Sequence, residues 1–235
     1  MVSIIIPAHN EKKNLERLLG YLEKSNIKNA EVIVAFSEAT DDGQIDVRKP
    51  SFANFLRCKG QGRAFQMNSG ANAAKGGILV FLHADVIPPE TFLTDIANVM
   101  NKGYDAGFFS YRFDSNSLLL KINALFTARD GFFTGGGDQC LFIKKPVFER
   151  LGRFDENQIV MEDFEFFQRM KKHKVRYTII KNDLIVSARK YLHNSYIRVN
   201  LSNLLLVILF KFGYPPHKLK SLYGKLIRTP YQNPS

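Results

Sequence analysis

Ile78-Leu79-Val80-Phe81-Leu82-His83-Ala84-Asp85-Val86-Ile87-Pro88-Pro89 decides the fold. Ile78 to Leu82 is an uninterrupted apolar run, as expected for a strand covered on both faces. A histidine, a small residue and an aspartate follow. Two prolines then stop the strand and are expected to open a helix. In open α/β sheets, ligands bind outside the carboxyl ends of the strands. A carboxylate there can hold a metal ion against a phosphate-bearing substrate, so the role of Asp85 is the central question.

Working outward, strand and helix patterns alternate. Val2 to Ile6 is a short β-branched run ended by Pro7, and the loop Ala8-His9-Asn10-Glu11 follows. Leu15, Leu18, Leu19 and Leu22 stand at helical spacing between charged residues. Glu31 to Phe36 reads as a second strand, followed by the loop Ser37 to Gly43, and a third strand is expected around Phe55 and Leu56. Gly60-Gln61-Gly62-Arg63 opens a helix whose small residues, Ser69 to Ala74, allow close approach to the sheet or a ligand. Phe92, Leu93, Ile96, Val99 and Met100 mark another amphipathic helix. This alternation predicts an α/β fold with a mainly parallel sheet between helices.

The middle is less regular. Ala106 to Phe113 reads as a strand and Ser117 to Ala128 as a helix. Gly135-Gly136-Gly137-Asp138-Gln139 is a turn into the strand Cys140 to Ile143, and Pro146 starts a short helix ending near Gly152. Asp163 falls at the start of a helix carrying Phe166, Phe167 and Met170. Val175 to Ile180 and Leu184 to Val186 are expected as two late antiparallel strands. Residues 1–190 are expected to form the main domain, and 191–235 a helical, basic extension packed on it or on a membrane surface.

The chain has 235 residues, 45% of them hydrophobic, enough for a sizeable core, and a formal net charge of +11. That charge favours anionic partners such as nucleotides, diphosphates or an anionic membrane surface. Nucleic acid is not expected as a partner, because no binding module and no interleaved aromatic and basic pattern is present. Cys58 and Cys140 offer neither a disulfide framework nor metal-ligand spacing. The N-terminal apolar run is short and lacks a basic flank, so export is not expected and a cytoplasmic location is.

Transfer from an activated, phosphate-bearing donor needs charge stabilisation on the leaving phosphates and a base near the attacking hydroxyl. Asp85 is a candidate metal ligand and Asp163 a candidate base. Arg63 and Arg189 are candidate phosphate contacts, since guanidinium matches phosphate oxygens. Taken singly, each has a blander reading. An aspartate at a strand end is commonly a turn residue, an acid at a helix start commonly answers the helix dipole, and arginines are commonly solvated.

The series is more specific than its parts. Ile4-Ile5-Ile6-Pro7-Ala8-His9-Asn10-Glu11, His83-Ala84-Asp85, Gly152-Arg153-Phe154-Asp155-Glu156 and Glu162-Asp163 together resemble family-2 glycosyltransferases of the GT-A fold. The resemblance runs from residue 2 to about residue 190. Gly62-Arg63-Ala64, Gln66-Met67-Asn68 and Gly137-Asp138-Gln139 are similar to a small bacterial subgroup labelled as arsenosugar-biosynthesis-type transferases. The resemblance implies inverting transfer of a sugar from a nucleotide-diphosphate sugar to an acceptor hydroxyl, with Mn²⁺ or Mg²⁺ as cofactor. It places Pro7, His9, Asn10, Glu11, Arg63, His83 and Glu38 around the donor nucleotide. Asp85 becomes the metal ligand and Asp163 the base. Gly137, Asp138, Gln139 and Glu162 fall beside donor sugar and acceptor. Arg189 falls on the diphosphate, with His193 as a further diphosphate or metal contact.

Two positions depart from the family pattern. His83 stands where the first aspartate of the Asp-x-Asp motif is usual; it can hydrogen-bond ribose, ligate a metal or be structural. Phe36 stands near the expected base-reading carboxylate, with Glu38, Asp41 or a stacked Phe36 as replacements. Two other functions are therefore kept: a catalytically impaired nucleotide-sugar-binding protein, and a sugar nucleotidyltransferase. Ala8-His9-Asn10-Glu11 argues against the latter, which carries a Gly-rich basic loop there. The run Leu204 to Phe210 is far shorter than the ~20 residues a spanning helix needs. It reads as a packed helix or as a segment lying on the inner face of an anionic membrane, presenting a lipid-linked acceptor rather than a small molecule.

Overall fold

The computed structural model describes residues 1–25, 27, 29–41, 46–131 and 134–228. In chain order its elements are β1 (Val2–Ala8), α1 (Lys12–Lys24), β2 (Ala30–Phe36), β3 (Ala53–Arg57), α2 (Arg63–Ala73), β4 (Ile78–Phe81), β5 (Val86–Ile87), α3 (Phe92–Asn101), β6 (Ala106–Phe113) and α4 (Leu118–Thr127). A 3₁₀ turn (Gly137–Gln139), β7 (Phe142–Lys144), α5 (Lys145–Arg150), α6 (Glu162–Lys172), β8 (Tyr177–Val186), α7 (Arg189–Leu192), α8 (Tyr196–Lys211) and α9 (Pro216–Leu226) complete it.

The strands form one sheet in the order β3-β2-β1-β4-β7-β6-β8-β5. β3, β2, β1 and β4 run parallel, β7 is antiparallel to both its neighbours, and β8 returns to parallel pairing with β6. The mainly parallel α/β sheet between helices is therefore as the sequence pattern predicts. Strand side chains alternate between faces, and both faces are covered. Ile4, Ile6, Val80 and Leu82 pack with the α1 leucines and with Phe92 and Ile96 of α3. Ile5, Leu79 and Phe81 pack on the other face with Met67 of α2, Phe148 of α5 and Phe166 of α6. The small residues of α2 serve the sheet: a Cβ on Gly70 would collide with Ile5.

Four expectations change. Pro7 does not end β1 but lies within it, opposite Ala35. The β4 ladder reaches only Ile5, so no partner on that side asks Pro7 for an N–H. Pro88-Pro89 do not open α3, which starts at Phe92 after Thr91. Val86 and Ile87 form a separate strand paired with β8. The late strands are one strand, parallel to β6 and antiparallel only to the two-residue β5. The polar stretch Lys181-Asn182-Asp183 that looks like a break is a local irregularity opposite Ser110. The loop read from Ser37 to Gly43 lies partly outside the described residues.

Gln66 on α2 fixes where the strand ends lie. Its side-chain amide donates to the carbonyls of Ala8 (2.8 Å) and Ala35 (2.7 Å), tying β1 to β2 at their carboxyl ends. The side chain is buried, so removing it leaves acceptors without water. Gln66→Met is expected to lower stability by about 1–3 kcal/mol. Urea unfolding followed by circular dichroism reads this; an unchanged midpoint at unchanged slope means the clamp is idle.

Candidate active site

At the carboxyl ends of β1 and β4, loops bring together residues far apart in sequence. Glu11 follows β1 and begins α1. Asp85 follows β4. Arg189 opens α7 after the last strand. The Arg189 guanidinium spans Glu11 with two hydrogen bonds (2.6 and 3.0 Å) and lies 3.1 Å from Asp85 Oδ2. Asn14 also donates to Glu11. A planar guanidinium is suited to such paired contacts. Burial, with Asp138 adding to it, raises the proton affinity of Asp85, while Arg189 opposes that rise.

A second arginine organises the other half. Arg63, at the start of α2, lies 3.2 Å from Glu162 and 3.8 Å from Asp163. These two acids occupy the first turn of α6, where the helix N-terminus favours negative charge. Glu162 is buried, and its Oε1 accepts no hydrogen bond among the described residues. Burial foremost, and then Glu162, push the Asp163 carboxyl well above the usual carboxylate range, with Arg63 pulling against them.

Gly137 joins the halves. A Cβ there would collide with the His83 imidazole and the Asp163 carboxylate. Asp163 lines a water-sized crevice with Gly135, Gly136, Gly137 and the apolar side chains of Phe81, Phe108, Leu141 and Phe166. His83 Nδ1 lies 3.9 Å from Asp138. Burial, then Arg63, lowers the pKa of His83, favouring neutral imidazole.

The remaining expected residues divide. His9 and Glu38 are exposed, Pro7 lies in β1, and Asn10 accepts from the backbone N–H of Asp41 at 3.3 Å. Gln139 is buried, with both ends of its amide engaged: it accepts from Gly135 N–H and donates to the Thr127 carbonyl. His193 is exposed at the end of α7. Phe36 cannot stack on a base: it is in the core, edge-on to Phe55 at 5.3 Å. Sequence reasoning missed Lys190, which follows Arg189, reaches the Tyr223 ring at 6.0 Å and feels the charge of Asp138. Its only signal was the paired Arg189-Lys190.

The arrangement offers a carboxylate of raised proton affinity facing a crevice, and a second carboxylate already matched to a cation. The family described as Glycosyl transferase family 2 matches residues 3–172. The chain belongs to this family. It is thus a glycosyltransferase, and its sheet is the GT-A fold. Among solved structures it is similar to a mannosyltransferase from Pyrobaculum calidifontis in complex with GDP-Man and Mn²⁺. That likeness has a TM-score of 0.67 at 17% identity, over 96% of this chain and 68% of the other. It is also similar to residues 1–349 of TarS from S. aureus in complex with UDP-GlcNAc (TM-score 0.64, 15% identity, 96% and 71% covered). The chain spans 42% of the longer TarS chain. No curated protein matches it. At these identities the structural likeness speaks for the fold.

Breaking the Arg189 bridge tests how the first half is held. Arg189→Met leaves Glu11 and Asp85 without their shared cation. The expected loss is about 1.5–3 kcal/mol, the range for hydrogen bonds to charged groups, measured by urea denaturation of the ligand-free protein. A loss within error would mean that water replaces the guanidinium freely.

Proposed function

We propose that this glycosyltransferase moves a sugar from a nucleotide-diphosphate sugar to an acceptor hydroxyl with inversion, using Mn²⁺ or Mg²⁺. The observation carrying the proposal is Asp163: a carboxylate of raised proton affinity at the start of α6, against Gly137 and beside Arg63. In the proposed step the acceptor hydroxyl attacks the anomeric carbon and its proton passes to Asp163. The new C–O bond forms as the bond to the phosphate oxygen breaks, and the nucleoside diphosphate leaves with the electron pair. Attack from the face opposite the leaving group inverts the configuration.

Pro7, His9, Asn10 and Glu11 line the nucleotide side, where Glu38 or Asp41 is available to the base. Arg63 holds Asp163 and Glu162 in place while lowering the proton affinity of the base. Gly137 leaves room for the His83 and Asp163 side chains, and Asp138 and Glu162 supply acceptors for the sugar hydroxyls. Arg189 changes partner from Asp85 to the diphosphate.

The residues present fit a divalent ion at Asp85. Among the described residues no group of three or more His, Cys, Asp or Glu side chains is arranged to hold an ion. Ions that share substrate phosphates need only one or two protein carboxylates, and Asp85 meets that need. Its Oδ2 already contacts a cationic group, the Arg189 guanidinium, so the position suits positive charge. When bound, a divalent ion supplies neutralisation of the charge leaving on the diphosphate. The acceptor, lipid-linked or small, is left open by the pocket.

The decisive variant is Asp163→Asn. Loss of a positioned base costs about 10²–10⁴-fold in rate, so transfer from a panel of nucleotide sugars with Mn²⁺ is expected to fall by that factor. The raised proton affinity gives a second readout. The native state holds a proton that the unfolded chain releases, so the stabilising effect of Asp163 is present at low pH and lost as pH rises through its folded-state value. Asp163→Asn is therefore expected to raise Tm at pH 8 while abolishing transfer. A variant that keeps its activity, or a panel neither bound nor turned over, removes the proposal. Binding with no turnover favours an impaired nucleotide-sugar-binding protein.

The pH profile is a separate check. The base must be unprotonated, so kcat/KM is expected to fall as pH drops through a value above the usual carboxylate range. An acid limb at an ordinary carboxylate pKa would mean Asp163 is not the base.

A further inference from the structure

α4 and α8 leave long apolar stripes uncovered. On α4, Leu118, Leu119, Ile122, Leu125 and Phe126 share one face by helical spacing, and Leu118, Leu125 and Phe126 are each 72% exposed. On α8, Ile197, Leu201, Leu204, Leu205 and Ile208 repeat the pattern, and Phe212 just beyond it is 86% exposed. Side-chain hydrogen bonds link the two helices: Asn123 of α4 donates to Asn200 of α8 (2.9 Å) and accepts from the Tyr196 hydroxyl (2.6 Å). Single exposed apolar residues are ordinary, but a patch of this extent marks an interaction surface.

Charge identifies what it meets. From Leu184 to Ser235 the sequence holds eight Lys and Arg and no acidic residue. Between Asp114 and Asp130 there is again none, while Lys121 and Arg129 are present and exposed. Arg198, Lys211, Lys218, Lys220 and Lys225 are exposed on or beside α8 and α9. A second copy would bring the same positive charge against it, and like-charge juxtaposition across an interface costs several kcal/mol. Apolar stripes bordered by lysine and arginine match instead the chemistry of a monolayer with anionic headgroups. α8 is about 24 Å long at 1.5 Å per residue, and no helix among the described residues is long and apolar enough to cross a membrane. We propose that the α4–α8 surface lies in the interface of an anionic lipid bilayer, without spanning it. The sequence pattern of the tail suggested one such helix; the structure adds α4 as its partner.

Sedimentation of the full chain with phosphatidylcholine vesicles, with and without phosphatidylglycerol, tests this without any donor or acceptor. The intact protein is expected to pellet with phosphatidylglycerol vesicles, less at high salt, and little with phosphatidylcholine alone. Leu125→Glu with Phe126→Glu, and separately Ile197→Glu with Leu201→Glu, are each expected to lower partitioning at least about tenfold, since charge on the inserted face opposes burial. These residues are exposed, so circular dichroism should be unchanged, and donor hydrolysis in solution should be kept. No pelleting of the intact protein overturns the proposal, as does pelleting that neither pair weakens. A concentration-dependent dimer in equilibrium sedimentation, abolished by both pairs, assigns the surface to a second copy instead. Because binding is read without donor, its failure leaves the catalytic reading untouched, and the reverse holds.

Discussion

Carboxylates gathered at the ends of parallel strands repel one another, and two arginines hold them there. Arg189 lies between Glu11 and Asp85, and Arg63 lies beside Glu162 and Asp163. The strands lend only positions; without a shared cation, acids brought this close in a partly buried cleft would take up protons or move apart. The two halves differ in how fully the charge is met. Glu11 has a bidentate partner and a further donor in Asn14. Among the described residues, the cation paired with Asp163 is Arg63 at the longer 3.8 Å, with a buried acid beside it. One half thereby has its acids matched by a guanidinium, and the other keeps a carboxylate of raised proton affinity. The difference follows from packing before any ligand is considered.

The fold was legible because its signals are local and repeated. Five-residue apolar runs such as Ile78 to Leu82, and the leucine spacing of α1, report burial directly. The errors fall where a local signal is overruled by a neighbour. Pro7 looks like a stop, yet β4 ends before it needs an N–H. Lys181-Asn182-Asp183 looks like a loop, yet β6 continues alongside and absorbs the extra residues. Direction was misread for the same reason: parallel or antiparallel pairing of the last strand is set by strand order across the sheet, which periodicity does not contain.

The candidate site was legible in part, through the order of its motifs. Asp85 and Asp163 were named because one follows a strand and the other opens a helix, and His83 and Gly137 through the resemblance. The pairings were not legible. Arg63 was expected on a nucleotide and is found on the two acids of α6, a contact across about a hundred residues of chain that no spacing rule reaches. Gln139 has the residue type of a ligand contact, but its amide is turned inward to Gly135 and Thr127. Phe36 marks a place where the sequence left two readings and burial removes one: a ring edge-on to Phe55 in the core has no face left for a base.

That removal bears on how a nucleotide is read. With Phe36 in the core, the end of β2 offers no carboxylate and no stacking ring, and the next side chains toward solvent are Ser37, which is buried, and Glu38, which is exposed. An exposed carboxylate is solvated and loses less on exchanging one hydrogen-bond partner for another than a buried one does, so it discriminates weakly between bases. Asp41 is held closer to the first loop, since its backbone N–H reaches Asn10. Under the proposed function, binding strength therefore rests on the diphosphate side, where Arg189 and Asp85 are already paired, and base selectivity is expected to be shallow.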